Sequence, residues 1–183
     1  MRIFAIVLLA CVTACGSSTK PAARAEPRVP QTEVRAELGG WRTSFRIGPD
    51  WRLDPKNQSK DALVLDAVGK SGLALALILE AAAPGTKAGD VAAKWQGHVI
   101  LAGAYKIKSI GTVIATSDED AAFSVSGVDQ GVAVTTTGIV HLVSSNGIDT
   151  WAISLIYGPS AYTVYATQEA HRIVRSFRLQ PLK

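Results

Sequence analysis

GVAVTTTGIVHLVSSNGIDTWAISLIY, residues 131–157, decides the fold. It is rich in valine, isoleucine and threonine, and Asn146-Gly147 interrupts it with two residues that tolerate the positive φ of a tight hairpin turn. Two long antiparallel strands are expected, over 131–143 and 150–157. Upstream, residues 105–115 and 121–128 carry the same period-two pattern. Ser117-Asp118-Glu119-Asp120 and Asp129-Gln130-Gly131 supply turns between these runs, so the strands form a meander.

Ile139, Val140 and Leu142, with Trp151, Ile153, Leu155 and Tyr157, give the meander an apolar face that requires a cover. Tyr162, Tyr165, Ala166, Ile173, Val174 and Phe177 recur at helical spacing through 160–177 and are expected to supply it. Another helix is expected from a cap at Thr86 or Asp90 to residue 102, with Val91, Trp95, Val99 and Ala102 on one face. Residues 43–47 and 63–68 fit short strands, whereas the apolar run 73–79 fits a buried strand or a helix. The fold class expected is α+β, an antiparallel sheet of about six to seven strands with two helices on one face.

The chain begins with Arg2 and an apolar run from Ile3 to Val12, then Val12-Thr13-Ala14-Cys15. The run is about half the length of a membrane-crossing helix and fits a secretory signal. Its end resembles the bacterial lipobox. Leu8-Leu9-Ala10-Cys11 fits more loosely, because cleavage there would leave a very short apolar region. Three segments are therefore expected: a lipoprotein signal peptide at 1–14, lipidated Cys15 and a flexible tether at 15–37, and a single domain at 38–183. The tether is inferred from Pro21, Pro27, Pro30 and alternating charges without apolar periodicity. Both cysteines lie in the leader, so the mature domain has no internal disulfide, thiolate metal site or cysteine nucleophile. Gly16, rather than Asp, follows Cys15; in the Gram-negative sorting pattern that this resembles, the protein goes to the outer membrane, facing the periplasm.

Several features, taken in order, resemble the PsbP/Mog1-like superfamily, including bacterial envelope lipoproteins of the DcrB and LpqN type. They are Phe45-Arg46-Ile47-Gly48-Pro49-Asp50-Trp51, the 73–79 strand, the 90–102 helix, a strand holding Ser126-Gly127, and the closing Ile173-Val174-Arg175-Ser176-Phe177-Arg178. The resemblance spans residues 41–179 and implies a protein-interaction or small-ligand module more often than an enzyme. It carries over no catalytic set.

No cofactor, metal site or catalytic residue is expected from the residues themselves. His98, His141 and His171 form no close-spaced pair, no G-x-S-x-G occurs, and Asp118, Glu119 and Asp120 fall in a turn where they would be solvated. The net charge of +4 is a weak excess without a basic run interleaved with aromatics, so no nucleic-acid partner is expected. Lys106, Lys108, Arg172, Arg175 and Arg178 are read as solvated faces, with attraction to anionic headgroups or peptidoglycan as a minor option. Trp51, Tyr157, Tyr162 and Tyr165 are the candidate partner patch, if exposed. The expected role is a membrane-anchored, non-catalytic factor binding an envelope protein. The alternative is a periplasmic carrier of an apolar ligand such as a lipid, with residues 73–79 as one wall.

Overall fold

The computed structural model describes residues 30–182, so the leader, Cys15 and the chain up to Val29 lie outside the described residues. In chain order the elements are β1 (Thr32–Leu38), β2 (Trp41–Ile47), β3 (Trp51–Leu53), β4 (Leu63–Ala67), β5 (Ala74–Ala81), α1 (Ala88–Ala102), β6 (Lys106–Ile110) and β7 (Ile114–Ala115). They continue with β8 (Asp120–Asp129), β9 (Val132–Ser145), β10 (Ile148–Pro159), a 3₁₀ turn (Ser160–Tyr162), α2 (Thr163–Arg175) and β11 (Arg178–Pro181).

The valine- and threonine-rich runs become the central pair of an eight-stranded antiparallel sheet, ordered β3-β4-β5-β10-β9-β8-β6, with β7 also on β8. β9 and β10 pair from Ser145↔Ile148 to Val134↔Pro159. Asn146 and Gly147 both have positive φ, 53° and 75°, as the primed hairpin turn demands. Residues 74–81 are strand rather than helix: Leu75, Leu77 and Leu79 alternate with half-buried neighbours on β5. The run expected as one strand over 105–115 is divided into β6 and β7, with a register shift between Ile107 and Ser109.

A second, three-stranded sheet, β1-β2-β11, brings the strand count above the expected six to seven. All of strand β1 but Leu38 occupies residues expected to belong to the tether. Val34, Ala36 and Leu38 point to the core from it, while the intervening Glu33, Arg35 and Glu37 face solvent and give the segment its tether-like composition.

The two helices cover opposite faces of the large sheet, not one. Period two gives each central strand two apolar faces. Ala152 and Ile156 of β10, with Ile139 of β9 and Leu75 and Leu77 of β5, join a core with Ala166, Ala170, Ile173 and Val174 of α2. The inner face of the small sheet completes that core, and Phe45 stacks on Phe177 at 4.9 Å. Trp151 and Ile153 of β10, with Val140 of β9 and Phe123 of β8, pack under Val91 and Ala92 of α1. The cover for the Trp151 face is thus α1, and α2 covers the face behind it. The N-cap of α1 is Lys87 rather than Thr86 or Asp90; Asp90 stands inside the first turn and accepts the Lys87 N–H at 3.2 Å, the reciprocal half of a capping box.

Candidate functional site

Helix α1 packs mainly over β8 and β9 and leaves the neighbouring part of the same sheet face open. Val64 of β4, Ala74 and Ala76 of β5, and Leu155 and Tyr157 of β10 are half-buried there. With Val99, Ala102, Ala104 and Tyr105 along the end of α1, they bound an open groove of about 240 Å³. Leu101, in the last turn of the same helix, is 84% exposed.

Among the groove-lining side chains, the tyrosines and Thr136 carry the polar atoms, and these atoms are engaged. The Tyr157 phenol donates to Asp129 Oδ2 at 2.6 Å. That bond first, then burial and the Asp129 charge, pushes the phenol up to about 12. The Tyr105 phenol donates to the Val125 carbonyl at 2.8 Å and lies 2.9 Å from the Thr136 hydroxyl. The two rings stand 5.9 Å apart and tilted, presenting carbon surface to the groove. No charged side chain among the described residues lines it, so its chemistry is burial of apolar groups.

The four aromatic residues expected as one patch are divided between separate places. Trp51 is 3% exposed and belongs to the core on the α2 side. Tyr165 is tied to Asp50 on that side, its phenol donating at 2.7 Å. Lys70 also donates to Asp50 at 3.3 Å and lies 4.4 Å from the centre of the Tyr165 ring. The Tyr165 and Lys70 hydrogen bonds hold the Asp50 carboxyl below its usual range. Burial, then the bond to Asp50, raises the Tyr165 phenol. Tyr162 is 36% exposed on the 3₁₀ turn, and Tyr157 alone of the four lines the groove.

A titratable cluster that sequence spacing concealed sits between α2 and the β8–β9 ladder. Asp120, expected in a solvated turn, instead begins β8, opposite His141 in the register, and its Oδ1 lies 2.9 Å from His141 Nδ1. Arg175 reaches the same oxygen at 3.6 Å. Burial, then the charge of Arg175, lowers the nearby His171, with Asp120 opposing. Among the described residues, no group of three or more His, Cys, Asp or Glu side chains is placed to hold a metal ion. His98, Lys106 and Lys108 are exposed.

No family model matches the chain, and neither does any curated relative. Solved structures match in fold. Mog1p, a Ran-binding protein of Saccharomyces cerevisiae, superposes with a TM-score of 0.55 at 13% identity, over 83% of this chain and 97% of its own. LpqN of Mycobacterium tuberculosis, involved in cell envelope biogenesis, superposes with a TM-score of 0.50 at 15% identity, over 85% of this chain and 93% of its own. No helix among the described residues is long and apolar enough to cross a membrane. The domain has the Mog1/PsbP-like α+β fold that the sequence resemblance implied.

Proposed function

We propose that the chain is an exported lipoprotein, lipidated at Cys15 and held at the periplasmic side of the outer membrane, whose domain binds another envelope protein as a non-catalytic assembly or accessory factor. The open groove beside α1 carries the binding half of this reading. Its size favours docked side chains over an enclosed lipid: about 240 Å³ lies below the roughly 300–1,000 Å³ of pockets that bury a small molecule. The likeness in fold to a Ran-binding protein and to a cell-envelope protein is consistent with such a role. The lipobox-like end of the leader supports the anchoring half.

The test is site-specific photo-crosslinking in native membranes. A photoreactive side chain at Ala104, in the groove wall, should capture one protein in stoichiometric yield; at exposed Glu37, on the small sheet, it should not. Ala76→Glu, which charges the groove, should abolish the adduct. A lipid recovered with the purified chain, without a protein adduct, would sink the binding-factor reading in favour of a carrier. Membrane fractionation of Cys15→Ser tests the anchor separately: retention equal to wild type refutes lipidation there.

A further inference from the structure

We infer that the outward face of the three-stranded sheet is a docking surface for an anionic lipid bilayer. Arg35 of β1, Arg42 and Arg46 of β2 and Arg178 of β11 are exposed on it, continued by exposed Arg172 and Arg175 of α2. The register is what gathers them. Arg35 and Arg178 both stand beside Ser44, and Arg46 and Arg42 flank that serine along β2. Two adjoining shallow troughs of about 460 and 360 Å³ run across this face, sharing Glu33, Ser44 and Arg178 in their linings. Glu33 and Glu37 are the sheet's exposed carboxylates here, Glu33 paired with Arg35 at 3.1 Å. Arg172 and Arg175 also lean on Glu169 and Asp120, which leaves, among the described residues, six guanidiniums against four carboxylates.

Charge complementarity selects an anionic partner, and the chain's own connection selects a surface that is nearby. Gln31, at the start of the described chain, lines the larger trough. On the lipoprotein reading, on which this inference rests, residues 15–29 join the lipid to that edge, and fifteen residues span at most about 50 Å. The joining segment adds Lys20, Arg24 and Arg28 against Glu26. A short link of this kind keeps the basic face at high effective concentration beside the headgroups. The groove lies on the other face of the large sheet, so a domain seated on its arginines turns that groove away from the membrane.

Vesicle flotation decides the matter. The chain from residue 15 with Cys15→Ser carries no lipid, so its binding is independent of whether the anchor exists. It should float with vesicles containing phosphatidylglycerol and not with pure phosphatidylcholine. Binding should collapse between about 0.1 and about 1 M salt, where the screening length shrinks from about 10 to about 3 Å. Arg42→Gln with Arg46→Gln and Arg178→Gln should lower partitioning by about a hundredfold. Circular dichroism establishes that this exposed triple variant is folded, and Arg→Lys at the same positions should keep most of the binding. Equal binding to both vesicle types, no loss in the glutamine variant, or an equal loss from Lys106→Gln with Lys108→Gln each overturns the assignment.

Discussion

Tyr165 on α2 donates its phenol hydrogen to Asp50, in the turn between β2 and β3, across 2.7 Å of space and 115 positions of sequence. With Lys70 on the same carboxylate, this contact ties the C-terminal helix to the N-terminal half of the domain. Tyr165→Phe should lower unfolding free energy by about 1 kcal/mol, a value kept small because the Asp50 side chain is half exposed. The folded carboxyl ionises below the ordinary aspartate value of 3.8, so its contribution is present above that pH and is lost as pH falls through the folded pKa. Urea titrations of wild type and Tyr165→Phe should therefore differ at neutral pH and converge in acid.

Phe123 and Gly138 form a second decisive pair. They face each other across the β8–β9 ladder, and a Cβ on Gly138 would lie 2.0 Å from the Phe123 ring. Gly138→Ala should destabilise by about 3 kcal/mol, because a fully packed ring must leave its position. Adding Phe123→Leu should recover part of that loss, and strict additivity in the double-mutant cycle would disprove the steric account.

His171 should make the domain acid-sensitive. Its folded pKa lies below the ordinary histidine value of 6.5, so the unfolded chain takes up the proton first and stability falls as pH drops from neutral toward the folded value. His171→Gln should flatten that slope in thermal melts between about pH 7 and pH 5. An unchanged slope would assign the acid response elsewhere.

Tyr157 governs the alkaline side. Its phenol is raised from 10.0 to about 12, so its contribution is complete below pH 10 and is lost as pH rises toward 12. Tyr157→Phe should remove that part of the alkaline loss and cost about 1 kcal/mol at neutral pH through the bond to Asp129. Tyrosinate absorbance followed against pH measures the shift directly.

The meander was legible because turn pairs such as Asn146-Gly147 punctuate β-branched runs, and local rules suffice for that. Which helix covers which face was not legible. Trp151 and Ile153 on one side of β10, and Ala152 and Ile156 on the other, are equally apolar, and the sequence contains no statement of which side a distant helix takes. β1 escaped notice because Glu33, Arg35 and Glu37 dominate its composition, although Val34, Ala36 and Leu38 keep strict alternation ahead of Gly39-Gly40. The groove comes from a sideways offset of α1 over the sheet, and the Asp120–His141 pair comes from strand register. Neither has a local signature. Trp51 and Tyr165 were legible as aromatic residues but not as buried or tethered ones, because exposure is decided by long-range packing.

The last strand of the chain completes the first sheet. Arg178–Pro181 pairs with Trp41–Ser44, and β10 is the bridge between β5 and β9 in the large sheet. A chain growing from its N-terminus thus has β4 alone beside β5, and β1 alone beside β2, until residues 148–181 are available. The topology therefore ties early to late: neither sheet is complete until residues 148–181 have been added to the strands that precede them.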